Sequence, residues 1–171
     1  MKNHTNIEWD ETIIPAYALH DDGKICGFFG SFRFLSNFYP LETGVCLDEL
    51  YFPTVEHAYQ AAKYPPEDRM QFININAGQS KKLGANAPKF NASKWNKKKY
   101  SIMESLVRQK FVNNFKLKQM LLMTDGCHLE ETNSWGDQYW GTNIQREGEN
   151  NLGKILMIVR DELKLKEKDK F

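Results

Sequence analysis

Thr54-Val55-Glu56-His57-Ala58-Tyr59-Gln60-Ala61-Ala62-Lys63 is the stretch on which the fold turns. It predicts a short helix. Thr54 can accept from first-turn backbone N–H groups as an N-cap, and Glu56 sits at the positive end of the helix dipole. Ala58, Ala61 and Ala62 keep the helix slim enough for close packing, and Pro65-Pro66 ends it. Glu56, Gln60 and Lys63 share one face through their i, i+4 and i+7 spacing. A solvated face is the ordinary explanation of Glu and Lys at this distance. The alanine flanks, with bulky His57 and Tyr59 to orient the helix, argue instead for a site.

Upstream, Val45-Cys46-Leu47 and Leu50-Tyr51-Phe52 flank Asp48-Glu49 and read as a small hairpin feeding the helix. Ile25 to Phe34, aromatic and punctuated by glycine, suits a strand followed by a bend, and Leu35 to Pro40 a loop. Residues 1–23 are polar, end in the turn signal Asp21-Asp22-Gly23, and read as an extension laid over the domain. Downstream, Pro66-Glu67-Asp68 opens a second helix reaching Ile75, and Gln79 to Leu83 form a helical turn closed by Gly84. Ile102, Met103, Leu106 and Val107 mark a core helix over Tyr100–Phe111, and Leu117, Met120 and Leu121 mark another before Thr124-Asp125-Gly126. Cys127 to Thr132 reads as a strand. Leu152, Ile155, Leu156, Val159 and Leu163 line a closing helix started by Asn150 or Asn151, with a frayed lysine-rich tail over 166–171. The sum is a single α+β domain over 24–165, mainly helical with a few short strands.

At 171 residues the chain can bury roughly two thirds of its unfolded surface in one core. Its 23 basic and 22 acidic residues leave a net charge of +1, so no global field steers it to nucleic acid or membrane. No apolar run approaches the ~20 residues of a membrane helix, and Met1 to Asp10 lacks a signal peptide's apolar stretch; a soluble, cytoplasmic chain is expected. Cys26, Cys46 and Cys127 are far apart and read as reduced thiols. The histidines at 4, 20, 57 and 128 show no metal spacing, and position 61 is alanine where a zinc-protease helix needs its second histidine. A site without metal or cofactor is expected.

For Lys63 to act as a nucleophile its amine must be neutral, whereas an ordinary pKa of about 10.4 leaves only about one in 2,500 molecules deprotonated at pH 7. Burial in a desolvated pocket can move that pKa. Glu56 alone works against it by favouring the ammonium, unless Glu56 is itself protonated and serves as a general acid. Trp135 and Trp140 lie beside glycines in a polar, turn-rich stretch, where glycine lets backbone approach a ligand and indole offers a stacking face. Asp137 between them is a second carboxylate, or simply a turn aspartate. Lys94-Trp95-Asn96-Lys97-Lys98-Lys99 interleaves cations with an aromatic as phosphate sites do, although a solvated helix entrance explains the lysines equally. Arg33 and Asn37, near the aromatic bend, suit phosphate or ribose.

These motifs resemble the NADAR superfamily, which includes YbiA-like N-glycosidases. The carriers are Ser36-Asn37-Phe38-Tyr39-Pro40, Phe52 to Lys63, Trp95, Lys110-Phe111, Trp140-Gly141 and Asn150-Asn151-Leu152-Gly153-Lys154, in order over about Gly27 to Leu163. The resemblance implies a compact, mainly helical α+β fold and hydrolysis of the bond between ribose C1 and a base nitrogen. One branch acts on phosphoribosylated pyrimidine intermediates of riboflavin synthesis, another on ADP-ribosylated guanine in nucleic acid. It implies Lys63 as a Schiff-base-forming nucleophile, Glu56 in proton transfer, and Asp137 positioning or activating water. Trp95 and Trp140 match positions that the family is expected to use for its pocket, and with them Arg33, Asn37, Gly141 and Asn150 are the expected substrate-binding residues. Thr142 after Trp-Gly, and the segment Asn143 to Glu149, depart from the family pattern. Two rivals stand beside hydrolysis: a module that binds ADP-ribose or a nucleotide without cleaving it, and a nucleic-acid binder using Lys94 to Lys99.

Overall fold

The computed structural model describes residues 14–21, 23–88 and 90–169; the expectations for 1–13, for Asp22 and for the last two residues lie outside them. The fold is α+β and mainly helical, with five short strands, β1 (Leu19–Asp21), β2 (Lys24–Cys26), β3 (Val45–Leu47), β4 (Leu50–Phe52) and β5 (His128–Glu130). The helices are α1 (Val55–Ala61), α2 (Ala77–Ala85), α3 (Ala92–Val112), α4 (Phe115–Leu122) and α5 (Asn151–Lys168), with 3-10 helices at Gly30–Leu35 and Pro66–Phe72.

α1 is the centre of the molecule. Thr54 caps it by accepting from the His57 N–H, and all seven of its residues are buried. It packs against α2, α3, the Pro66–Phe72 turn and the β3–β4 hairpin. The His57 ring bridges the Thr54 hydroxyl (2.7 Å) and the Ile75 carbonyl (2.8 Å), tying the helix start to the chain leading into α2. β3 and β4 pair antiparallel as expected, with Asp48 and Glu49 at positive φ in the two-residue turn. β2 pairs antiparallel with β1 and parallel with β5, so the chain before Lys24 supplies an edge strand. α5 packs on β5 and α3, closing a core that fully buries Phe52, Phe72, Met103, Phe111, Leu129, Ile155 and Leu156.

Five elements differ from their sequence reading. The strand expected over 25–34 stops at Cys26, because Gly27 and Gly30 take positive φ and turn the chain into a 3-10 helix that buries Phe34 and Leu35. The helix expected over 66–75 is a 3-10 turn ending at Phe72. α2 starts before Gln79, at a capping box in which Asn76 and Gln79 satisfy each other's backbone N–H groups. Gly84 does not end α2; it lies inside it, where a Cβ would collide with Gln60 of α1. α3 begins two turns before Tyr100, capped by Asn91, since its first turns are lysine-rich and only Trp95 there reaches the core. The tail is helical through Lys168.

Candidate active site

A cleft of about 540 Å³ opens between α1, α2, the Gly30–Leu35 turn and the chain after β5, a volume typical of small-molecule sites. Its walls are aromatic (Phe28, Phe29, Phe38, Tyr59, Trp135 and Trp140), and three carboxyl side chains, Glu56, Glu131 and Asp137, face the same space as three cations, Arg33, Lys81 and Lys82. Among the described residues no group of His, Cys, Asp or Glu is arranged to hold a metal ion.

Glu56 enters from the first turn of α1, buried to 6 % exposure. Its backbone N–H donates to the Asn37 carbonyl (3.0 Å), and its carboxylate accepts from Gln60 Nε2 (2.8 Å). Burial pushes the Glu56 pKa up, against the pull of the Gln60 hydrogen bond and the Lys81 and Lys63 charges. Asn37 also lines the cleft. Its Nδ2 reaches Met103 Sδ, while its Oδ1 and Gln60 Oε1 are buried without hydrogen-bond partners among the described residues. Buried polar atoms of that kind, on the wall of a cavity, are ready acceptors for a ligand.

Lys63 lies just past the end of α1, because Tyr64-Pro65 cannot continue the helix. It is absent from the cleft lining. Its Nζ sits 5.7 Å from the ring centroids of both Tyr59 and Trp95, and burial lowers its pKa although the Glu56 carboxylate opposes that. Trp95, also absent from the lining, is buried with its ring 5.1 Å from Tyr59. Tyr59 is the middle of an aromatic series. Its hydroxyl accepts from Trp140 Nε1 (3.2 Å), the two rings meet edge to face, and Trp140 in turn stacks on Tyr100. Trp140 thus presents a braced indole to the cleft.

Asp137 shapes a turn at the edge of the cleft. Its Oδ1 accepts from the Tyr139 and Trp140 N–H groups, shaping the turn, and its side chain lines the cleft. Asn133 clamps that turn by accepting from the Asp137 N–H (3.0 Å) and donating to the Asp137 carbonyl (2.8 Å). Gly141 and Asn150 are not on the lining. They hold backbone: a Cβ at Gly141 would collide with the Glu131 carbonyl, and Asn150, left-handed at φ 51°, bonds Leu129 and Glu131. Lys94, Lys97 and Lys98 are exposed on α3, as a solvated helix entrance requires, and Lys99 Nζ sits over the Tyr139 ring.

Sequence reasoning missed Lys81, Lys82 and Glu131. Asn76-x-x-Gln79 is a capping-box signal that places both lysines on a helix. Glu131 was hidden by its neighbour: Glu130 faces the other way, into Thr132, Thr142 and Arg146. Thr142 and, from the 143–149 segment, Arg146 thereby anchor Glu130.

Residues 28–164 match the profile of the NADAR domain. The chain is 33 % identical to an N-glycosidase of Nostoc punctiforme over 75 % of its own length and 84 % of that protein's. It is 31 % identical to the N-glycosidase YbiA of Escherichia coli, covering 90 % of this chain and 89 % of that one. A riboflavin biosynthesis protein of Vibrio vulnificus is 35 % identical over 76 % of this chain, which spans only 35 % of that longer protein. The solution structure of the Escherichia coli protein YbiA superposes with a TM-score of 0.72 at 26 % identity, over 89 % of this chain and 91 % of that one. Fold, motif order and relatives agree, and the chain belongs to the NADAR domain family.

Proposed function

We propose that this protein is a hydrolase that cleaves the N-glycosyl bond between ribose C1 and a base nitrogen, on a phosphorylated ribosyl-pyrimidine of the kind met in riboflavin synthesis. The observation that carries the reading is the cleft itself, where buried carboxyls, a braced indole and cations share one space. Its relatives named as N-glycosidases and riboflavin biosynthesis proteins support it.

Breaking this bond requires a proton for the departing nitrogen, stabilisation of a cationic sugar, and a nucleophile for C1. Glu56, buried with its pKa raised, is suited to proton transfer, and Asp137 to ordering water. Trp140 stacks the base, while Arg33, Lys81 and Lys82 receive phosphate. We take direct attack by water as the first route, with the Lys63 amine, off the cleft lining yet acting on the Glu56 charge, as the alternative nucleophile. The desolvation of its amine is the observation that favours the imine route.

The test is to incubate the protein with a ribosylaminopyrimidine phosphate and, separately, with DNA bearing ADP-ribosylated guanine, following base and sugar by mass spectrometry. Release from the pyrimidine is expected. Release from the DNA alone would move the substrate to the nucleic-acid branch, and binding without release from either would make the protein a nucleotide-binding module. Borohydride during turnover traps no adduct on Lys63 if water attacks directly; a Lys63 adduct establishes the imine.

A further inference from the structure

The motifs outside α1 converge on one short piece of backbone. Asn150 donates from Nδ2 to the Leu129 carbonyl (3.0 Å) and accepts at Oδ1 from the Glu131 N–H (3.1 Å). The Thr142 N–H donates to the Glu131 carbonyl (2.9 Å), and Gly141 passes so close to that carbonyl that no Cβ fits. Gly153, in the first turn of α5, lies in the same way against the Leu129 carbonyl. Glycine and asparagine at these places have a common effect. With the Thr142 N–H they fix the backbone from Leu129 to Glu131, by contacts on the Leu129 carbonyl and on the Glu131 N–H and carbonyl, which is how rigid scaffolds hold a reacting group.

The Glu131 side chain then lines the cleft, with Oε2 shut off from solvent and without a hydrogen-bond partner among the described residues. An ionised oxygen in that setting is costly, whereas a protonated one is a donor waiting for an acceptor. Glu56 on α1 and Asp137 in the following turn press Glu131 toward its neutral form, while Lys81 on α2 and Lys110 on α3 oppose them. Lys110 is itself fully buried, bonded to the Ser36 carbonyl at 2.7 Å, and its pKa falls to about 7. Burial prevails at Glu131 and pushes its carboxyl up to about 8. Burial raises the Glu56 pKa as well, but Glu56 differs in one respect: its carboxylate accepts from Gln60, which works against that rise, whereas Glu131 Oε2 has no such donor among the described residues. Two carboxyls in one cleft with unlike surroundings divide into an acid and a base.

We infer that Glu131 is the acid that protonates the departing base nitrogen, and that Glu56 takes the proton from the attacking water. The inference rests on the proposed glycosidase reading and assigns the proton transfers within it. The C1–N bond breaks with its electron pair passing to nitrogen, which receives the Glu131 proton. The water oxygen bonds to C1 and its surplus proton goes to Glu56. Proton exchange with solvent then returns both carboxyls to their starting states.

The test compares the parent protein with Glu131→Gln and Glu131→Asp on the ribosylaminopyrimidine phosphate as pH is varied, alongside a 13C carboxyl titration of the glutamate-labelled protein. The expected result is a basic limb near pH 8 in the parent that disappears in Glu131→Gln, with kcat lower by about 10²- to 10⁴-fold and KM within about threefold. Glu131→Asp, which keeps the acid but shortens its reach, should keep a basic limb at reduced rate. A carboxyl resonance assigned to Glu131 by its loss in the Gln variant should titrate well above pH 7. A Gln variant with parent-like rate and limb, or a Glu131 resonance titrating near 4.5, overturns the acid role and leaves the glycosidase standing. Absence of base release by the parent removes the proposed function and this role together.

Discussion

Helix α1 brings one carboxyl to the cleft and the irregular stretch from Glu131 to Asn150 brings two, by opposite means. In α1 the position of Glu56 is a local matter. Thr54 starts the helix, the helical rise sets the angle of the side chain, and Gln60 four residues on holds it. In the second region no regular element exists to do this. Glu131, Asp137 and Trp140 are held by amides from Asn133 and Asn150 and by close backbone approach at Gly141. A helix therefore carries its functional group on ordinary side chains, whereas the irregular stretch depends on glycines that carry none and on asparagines that stand in for backbone.

That contrast is broken or sharpened by substitution on each side. The largest effect is chemical: Glu56→Gln should lower base release by about 10²- to 10⁴-fold while the melting temperature holds or rises, since a buried carboxyl is replaced by a neutral amide of its shape. A matching fall in stability would mean that α1 holds Glu56 for the fold. Gly141→Ala should act the other way, costing on the order of 3 kcal/mol in urea unfolding because the Glu131 carbonyl has to move. An alanine variant as stable as its parent would show that the stretch yields. Asn150→Ala should cost about 2 kcal/mol, by orphaning the Glu131 N–H and the Leu129 carbonyl at a left-handed position. Asn150→Gly relieves the backbone strain alone, so it should recover only part of the loss.

The pH dependence of stability separates the regions further. With a folded pKa of about 8 against an ordinary 4.5, Glu131 binds more proton in the folded state between those values. Its contribution is therefore present in full below 4.5 and is lost as pH rises to 8. Glu131→Gln should flatten the fall in melting temperature between pH 5 and 8, measured against the parent in the same buffers. His57 works oppositely: burial lowers its pKa from 6.5, so stability falls as pH drops below that value, where the unfolded chain takes the proton first. A His57 variant that cannot be protonated should lose this acid-side dependence. The smallest effect belongs to the exposed entrance of α3. Lys97→Ala should change stability by less than about 0.5 kcal/mol and leave base release unchanged; a steep loss of activity there would extend the site beyond the cleft.

The α1 helix, the hairpin, the core helices and the closing helix were legible because each is announced by a cap, a turn or a hydrophobic period within a few residues. Glu56, Asp137, Arg33, Asn37 and Trp140 were singled out from the sequence, and all five line the cleft. Lys63 and Trp95 are not on its lining, since α1 stops at Ala61 and both side chains pack against Tyr59, which a helix face read from spacing alone does not show. The first turns of α3 were obscured by lysines that obey no apolar period, and Glu131 by sitting beside a second glutamate that points elsewhere.

The sequence by itself determined much of the local structure: the start of α1, the β3–β4 hairpin, the apolar faces of the core and closing helices, and, through several motifs in order, membership of the NADAR domain family. The tertiary structure alone decided which carboxyls face each other, which lysine is buried, and what Gly141 and Asn150 are for. Those are matters of contact between residues far apart in the chain. Spacing sets direction within one element, but burial and the electric field at a side chain are set by whatever another element places against it.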